Sequence, residues 1–226
     1  IILRNNGPEV YDQWYKHEIP FNSPEIVDAL DQAGEILKNP DFVNGGYGDV
    51  STIATTTFQD GGLTILDGSC FMHRQASFYA ANFQDAGAGT VAPDGDVFAF
   101  YLPGPSEDEK PLLVGSEFTA AFRSAPEVEA FQAYITSPEW ANLRAQEGFG
   151  FFSANKGLEP ASVDSEISKS SVELIKDPNS VIRFDGSDLM PGAVGSGSFW
   201  QGMTDWITGA SSEEVLTFIE ESWPAS

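Results

Sequence analysis

The spacing of apolar residues predicts a series of amphipathic helices along the chain. The clearest covers residues 24–37, where apolar side chains recur every three or four positions behind a Ser-Pro start. Serine caps a helix and proline fits its first turn, so Ser124 with Pro126 and Ser137 with Pro138 predict two more helix starts. Further helices are predicted at 8–17, 52–58, 70–83, 164–176 and 211–223.

Short apolar runs between these helices predict strands. They lie at 63–66, 97–102, 112–122, 148–153 and 181–184. The run at 112–122 is interrupted by Gly115, Ser116 and Glu117, which indicates either a close backbone approach or a crossing between two lobes. Because short strands alternate with more numerous helices, the predicted fold class is α/β.

Residues 181–206 combine carboxylates with aromatic rings. Asp185 and Asp188 follow a predicted strand, and a helix predicted from Ser198 carries Trp200. Proteins hold sugars with such groups, because an aromatic ring covers the apolar C–H face while a carboxylate accepts hydrogen bonds from the hydroxyls. The segment is therefore a candidate sugar site.

Each of these residues also has a purely structural interpretation. Aspartate is favoured in turns, where its side chain accepts hydrogen bonds from nearby backbone amides. Helical spacing places most of the aromatic stripe in the helix core, and the stripe comprises Phe199, Met203, Trp206 and Ile207. Trp200 lies off this stripe, so it has the stronger case for contacting a ligand.

A second candidate group lies at 71–74. If 63–66 is a buried strand and 70–83 a helix, then Phe71, His73 and Arg74 lie at the carboxyl end of the strand, where α/β sheets bind ligands. The chain has neither a G-x-S-x-G nucleophile motif nor an H-E-x-x-H zinc motif, so His73 is expected to donate to ligand hydroxyls. His17, in a polar stretch, is expected at the surface.

Composition excludes several classes of partner. The 226 residues include 11 basic and 34 acidic ones, giving a formal net charge of −23. This charge disfavours nucleic acid and anionic membrane surfaces. No apolar run is long enough to span a membrane. Neither a phosphate-binding loop nor a metal motif is present, so no cofactor and no metal are expected.

The single cysteine, Cys70, cannot form an internal disulfide. It is either a free buried thiol or half of a bridge to a residue outside this sequence. The chain opens Ile-Ile-Leu-Arg, without a signal segment, so we expect any export segment to lie upstream.

Five motifs resemble one family of proteins. They are GPEVYDQW at 7–14, HEIPF at 17–21, CFMHRQASF at 70–78, SPEW at 137–140 and RFDGSDLMP at 183–191. Together with the order of helices and strands, they resemble the carboxy-terminal portion of an extracellular solute-binding protein of an ABC-type sugar importer. The closest resemblance is to the maltose-binding-protein-like class, of the α-glucoside type.

The resemblance implies a type II periplasmic-binding-protein-like architecture, with two lobes joined by crossing strands and incomplete here. It implies that residues 1–113 and 161–226 belong to the carboxy-terminal lobe and that 114–160 belong to the amino-terminal lobe. The amino-terminal half of the protein would be missing from this sequence. The crossings would lie at 113–118 and 158–165.

The resemblance implies that the ligand contacts residues from four segments. They are Phe71, His73, Arg74, Gly115, Ser116, Glu117, Asp185, Asp188 and Trp200. The interpretation from residue chemistry and the resemblance coincide at Trp200, Asp188 and His73.

The function that the resemblance implies is capture of an α-glucoside or oligosaccharide in an interlobe cleft, for delivery to a membrane permease. Such a protein is not an enzyme, and it acts outside the cell, held by a lipid anchor on an upstream segment. The alternative is a glycoside hydrolase, for which Glu117 and Asp188 are the available carboxylate pair. A third and weaker hypothesis is a protein that binds a non-sugar solute or calcium. DGSD at 185–188 lacks the acid pattern of a calcium loop, which counts against calcium.

Overall fold

The computed structural model describes residues 1–43, 48–87, 90–147, 152–163 and 165–225. The α-helices among them are α1 (Ile2–Tyr15), α2 (Pro24–Leu37), α3 (Ala80–Asp85), α4 (Pro126–Ile135), α5 (Pro138–Ala145), α6 (Glu166–Lys176), α7 (Gly186–Leu189), α8 (Phe199–Ile207) and α9 (Ser212–Glu221). The strands β1 (Lys110–Val114) and β2 (Ser180–Phe184) form a two-stranded sheet. The described part of the chain is therefore mixed α/β, as the alternation of patterns predicts.

The chain divides into two units. Unit 1 contains Ile1–Gly61, Pro103–Gly115 and Val181–Ser226, and unit 2 contains Gly62–Leu102 and Ser116–Ser180. The chain thus leaves unit 1 twice, after Gly61 and after Gly115 just beyond β1, and returns to it at Pro103 and at Val181 in β2. The lobe boundaries at 1–113, 114–160 and 161–226 stay a prediction.

Unit 1 is built around one cluster of buried side chains. Its members are Leu3, Tyr11, Trp14, Phe21, Ile26, Met190, Val194, Trp206, Ile207, Val215, Leu216 and Ile219. Trp206 and Ile207 lie in this core and Phe199 and Met203 pack against it, so the predicted aromatic stripe of α8 is confirmed. Helices α1, α2, α8 and α9 therefore hold one another through the apolar faces that their spacing predicts.

Capping explains where several helices begin. Ser137 accepts a hydrogen bond from the Trp140 amide at 3.1 Å at the start of α5, as predicted. Ser211 and Glu214 form a capping box at α9. The prediction for α4 is wrong by one residue, because Ala125 is its N-cap while the Ser124 hydroxyl donates to Glu129 at 2.9 Å.

Two helix predictions need their bounds corrected. The helix predicted at 8–17 begins earlier, at Ile2, with a break at Gly7, whose φ of 82° is the left-handed conformation that glycine tolerates. The helix predicted at 52–58 is a 3₁₀-helix over Val50–Ala54. Helix α6 matches the prediction at 164–176, although residue 164 lies outside the described residues.

Of the strand predictions, the one at 181–184 is confirmed as β2 (Ser180–Phe184), and those at 63–66 and 97–102 are wrong. The run at 63–66 is a 3₁₀-helix over Leu63–Ile65, and only Val97 of 97–102 makes a bridge, to Val91. The run at 112–122 is a strand only as far as Val114. Residues 148–151 of the fourth predicted strand lie outside the described residues. Periodicity cannot identify a strand in a short apolar run, because a strand also needs a neighbour to pair with.

Candidate ligand-binding site

The nine predicted site residues are distributed over both units. Gly115, Asp185, Asp188 and Trp200 lie in unit 1, and Phe71, His73, Arg74, Ser116 and Glu117 lie in unit 2. The structure brings Gly115 close to Asp185, because the Asp185 amide donates to the Val114 carbonyl at 2.9 Å. This bond joins the carboxyl ends of β1 and β2, which shows that the two strands run parallel.

Gly115 follows the end of β1 and is exposed. A Cβ added there would meet no atom within 4 Å. Packing within this chain therefore does not require the glycine, and open space at its Cα would let a ligand approach the backbone.

Asp185 caps the short helix α7. Its Oδ1 accepts hydrogen bonds from the Ser187 amide at 3.0 Å and from the Ser187 hydroxyl at 2.8 Å. These bonds match the structural interpretation of an aspartate in a turn. Asp188, one turn later, is exposed, and its side chain is the more accessible acceptor of the two.

The turn that carries both acids is fixed to α1. The Tyr11 hydroxyl donates to the Phe184 carbonyl at 2.8 Å and accepts from the Gly186 amide at 2.6 Å. A Cβ at Gly186 would lie 2.8 Å from the Trp14 ring, so only glycine fits there. Burial raises the pKa of Tyr11, which keeps its hydroxyl protonated as a donor.

An ion pair supports the same turn. Arg183 Nε lies 2.7 Å from Asp12 Oδ1, between β2 and α1. Sequence reasoning missed Tyr11, Asp12 and Arg183 as positioning residues. The available signal was the GPEVYDQW and RFDGSDLMP motifs, which contain all three.

Helix α8 follows a π-helix over Val194–Ser198, an uncommon conformation. A Cβ at Gly195 would lie 1.9 Å from the Ser187 carbonyl oxygen, so the backbone of α7 lies directly against the π-helix. The small residues before α8 thus let α7, with Asp188, pack against the start of the helix that carries Trp200.

Trp200 projects away from the core of unit 1 and is 74% exposed. Its helix is anchored in the core of unit 1 by Trp206, whose indole N–H donates to the Ser212 hydroxyl at 3.0 Å. An exposed indole on an anchored helix is a platform on which a sugar ring can stack.

In unit 2, the predicted placement of Phe71, His73 and Arg74 at a helix start is wrong. Residues 71–76 are irregular, and a 3₁₀-helix begins at Ser77 and continues into α3. Neither the strand at 63–66 nor a helix at 70 exists, so the argument from strand ends does not apply. The three side chains are exposed, Phe71 to 91%.

His73 is nevertheless held on one side. Its ring centroid lies 5.0 Å from that of Tyr79, and a Cβ at Gly62 would lie 2.6 Å from its Cδ2. The partial burial of the ring lowers the pKa of His73, although the residue as a whole is exposed. A neutral imidazole that can donate one hydrogen bond and accept another is expected at pH 7.

Ser116 and Glu117 are exposed in the irregular segment that follows β1.

Cys70 is a half-buried free thiol, and its S–H donates to the Met72 carbonyl at 3.1 Å. The part of the chain that the structure describes has no group of three or more His, Cys, Asp or Glu side chains that could hold a metal ion. Within the same described ranges, no helix is long and apolar enough to cross a membrane.

Comparison with known proteins gave two relatives over nearly the whole chain. The osmoprotective compounds-binding protein GgtB of Synechocystis sp. is 39% identical over 228 residues, which cover 99% of this chain and 52% of that protein. The alpha-glucosides-binding periplasmic protein AglE of Rhizobium meliloti is 32% identical over 229 residues, 99% of this chain and 48% of that protein. No family model and no solved structure matches.

The chain thus spans about half the length of the curated relatives that it matches. Both relatives are binding proteins by name, and both align with this chain from end to end. The chain is thus similar, over nearly its whole length, to solute-binding proteins of the kind that its sequence motifs resemble.

Proposed function

We propose that the protein is the substrate-binding component of a carbohydrate ABC transporter, and that it captures an α-glucoside or a related oligosaccharide. The observation that carries this proposal is the similarity of 99% of the chain to two binding proteins, one named for α-glucosides and one for osmoprotective compounds. Neither name describes an enzyme, so the protein is proposed to bind its ligand without converting it.

The chemistry of the exposed groups supports a sugar ligand. Trp200 offers an apolar face for a pyranose, while the carboxylate of Asp188 accepts from hydroxyls. In unit 2, His73 can donate to a hydroxyl or accept from one, and Arg74 adds further donors. The remaining candidates, including Gly115, Ser116, Glu117 and Asp185, belong to the segments that follow β1 and β2.

Capture by a two-lobed protein works through a conformational equilibrium. A ligand that binds the closed form more tightly than the open form shifts the population toward closure. The proposed lobes would close around the sugar, and the closed form would then dock on the permease subunits of the importer. Action outside the cytoplasmic membrane and anchoring through an upstream lipidated segment are parts of the same proposal.

The glycoside hydrolase alternative is not favoured. A catalytic carboxylic acid needs an apolar environment that keeps it protonated near neutral pH. Glu117 and Asp188 are both exposed, so neither has such an environment in this structure.

Calorimetry combined with product analysis separates the two functions. The natural protein is titrated with the α-linked disaccharides maltose and trehalose, with β-linked lactose as the matched control, and with glycine betaine as an osmoprotectant that has no sugar ring. Heat of binding with an α-linked sugar, without any monosaccharide product in the calorimeter cell, supports the proposal. Saturable heat with glycine betaine alone, or release of glucose, contradicts it.

A further inference from the structure

The π-helix before α8 decides which side chains face the core and which face solvent. Its hydrogen bonds span five residues, and the Phe199 amide donates to the Val194 carbonyl. Val194 is fully buried, and Phe199 packs against the same core. In an α-helix, residues five apart lie about 140° apart around the axis, so these two side chains could not point into the core together. The π-helix allows both to be inside while Trp200 stays outside.

The sequence of the π-helix does not favour a helix by itself. It contains Gly195 and Gly197, and Gly192 lies just before it; glycine is the poorest helix former after proline. A Cβ at Gly192 would meet no atom within 4 Å, and one at Gly197 would meet only the Gly192 carbonyl oxygen at 3.7 Å. Because packing does not require these two glycines, the turn must be held in shape by contacts from other elements.

Two consecutive residues supply such contacts at the end of the π-helix. The Phe199 ring packs against the rings of Trp14 and Phe21, with centroids 5.9 Å away in each case. The hydroxyl of Ser198, a residue 8% exposed, lies 2.6 Å from the hydroxyl of Ser222 at the end of α9. The core therefore holds one residue, and α9 holds the residue before it.

The Ser222 hydroxyl is presented from a fixed position. It also lies 2.7 Å from the Ile219 carbonyl oxygen, and a hydroxyl can donate one hydrogen bond while it accepts another. The next residue, Trp223, stacks on His17 with ring centroids 4.2 Å apart. A short side chain held on both sides can fix the Ser198 hydroxyl at little cost in conformational entropy.

We infer that Ser222 is a positioning residue for ligand binding, because it holds Ser198 and thereby sets the direction in which α8 presents Trp200. The inference rests on the proposed function, in which the Trp200 ring covers a sugar. Without the bond between the two serines, the turn can relax toward α-helical hydrogen bonding, which turns Phe199 and Trp200 about the helix axis. The apparent dissociation constant then rises as the binding-competent fraction falls.

Calorimetry on the natural protein with maltose, or with trehalose if only that sugar binds, tests the role of Ser222. Ser222→Ala is expected to raise the dissociation constant about two- to tenfold, the factor that corresponds to one net hydrogen bond. Ser222→Thr keeps the hydroxyl and should restore most of the affinity. The matched control is Ser171→Ala, which removes a half-buried hydroxyl that donates to the Ile167 carbonyl of its own helix at 3.0 Å. It should leave the affinity unchanged.

A double-mutant cycle shows whether Ser222 acts through Trp200. In the Trp200→Ala background, Ser222→Ala should cause no further loss of affinity, because the ring that it positions is gone. The same loss in both backgrounds would overturn the inference, since a serine that only stabilises the fold would behave in that way. Ser198→Ala removes the same bond from the other side, and its affinity decides the question if Ser222→Ala does not fold.

Hydrogen exchange gives a readout that needs no ligand. The Phe199 amide, followed by NMR, is expected to exchange about two- to tenfold faster in Ser222→Ala than in the natural protein, while the amides of α2 are unchanged. An unchanged rate at Phe199 would overturn the inference whatever the ligand is. If the natural protein gave no heat with either sugar, the proposed function would fail; if it gave heat and folded Ser222→Ala bound equally well, this inference alone would fail.

Discussion

At the scale of single residues, the candidate site combines accessible groups with buried groups that position them. Trp200 and Asp188 face solvent, while Tyr11 and Gly186 hold the turn that precedes them from within unit 1. Binding and stability are thus assigned to different residues, and substitutions can test each separately.

Trp200→Ala is expected to weaken α-glucoside binding by about 1–3 kcal/mol, because the ring would no longer cover the sugar face. The dissociation constant is measured by calorimetry on the natural protein. Trp200→Phe keeps a ring and should retain part of the affinity, and Phe42→Ala is the control at another exposed aromatic residue. An unchanged affinity in folded Trp200→Ala would remove this residue from the site.

Tyr11→Phe is expected to lower the free energy of unfolding by about 1–3 kcal/mol, because the Gly186 amide and the Phe184 carbonyl would lose a buried partner. Urea unfolding measures the loss. Tyr15→Phe removes a hydroxyl from the neighbouring ring, 5.8 Å away, and is the matched control. If both variants lost the same stability, the two bonds of Tyr11 would not be the cause.

At the scale of elements, helices were more predictable from sequence than strands, although the strand predicted at 181–184 is present as β2 (Ser180–Phe184). Caps and apolar periodicity act within a few residues, so Ser137 and the α8 stripe were predictable. A strand needs a pairing partner that can lie far away in sequence. The apolar runs at 63–66 and 97–102 do not show whether such a partner strand is present. The same limit explains why Phe71 and His73 were assigned to a helix start that does not exist.

Contacts between distant elements were equally beyond sequence reasoning. His17, expected at the surface, is half-buried, stacks on Trp223 with centroids 4.2 Å apart and lies 2.9 Å from Glu220. The partners are about two hundred residues away in sequence, so no local pattern predicts them. The π-helix before α8 was likewise not predicted, because its glycines indicate only a run of small residues.

Gly195→Ala is expected to destabilise the protein by about 1–3 kcal/mol, because the added Cβ would overlap the Ser187 carbonyl and push α7 from the π-helix. It should also weaken sugar binding, since α7 and α8 carry Asp188 and Trp200. Gly197→Ala in the same π-helix is the control, because its Cβ would meet only ordinary contact at 3.7 Å. Urea unfolding and calorimetry would contradict the packing argument if the two alanine variants behaved alike.

The link between α9 and the segment before α2 predicts a pH dependence. Burial alone would raise the pKa of Glu220, but hydrogen bonds from the Phe21 amide and His17 outweigh it and lower the pKa. A carboxylate with a lowered pKa stabilises the folded state above its unfolded pKa of about 4.3, and this stabilisation is lost as pH falls through the folded pKa.

Urea unfolding at pH 6 and at steps toward pH 3 measures this contribution. The natural protein should lose more stability over that range than Glu220→Gln, whose side chain does not titrate there. If the free energy of unfolding fell equally in the two proteins between pH 6 and pH 3, Glu220 would contribute nothing to the loss of stability at low pH.

At the scale of the whole molecule, sequence motifs indicated the kind of protein that the chain resembles, whereas single site residues did not identify a ligand. Motifs between residues 7 and 191 resembled one family, and two binding proteins then matched 99% of the chain. The net charge of −23 suits a neutral ligand better than an anionic one, since like charges repel. The proposed role is therefore capture of a neutral sugar and its delivery to a permease.

Uptake of a radiolabelled α-glucoside by the native cells tests this role most directly. A strain that lacks the gene for this protein is compared with the parent strain and with a strain in which the gene is restored. The account predicts that uptake at low sugar concentration is lost in the deletion strain and returns on restoration, while uptake of an unrelated amino acid is unchanged. Equal rates of α-glucoside uptake in parent and deletion strains would contradict it.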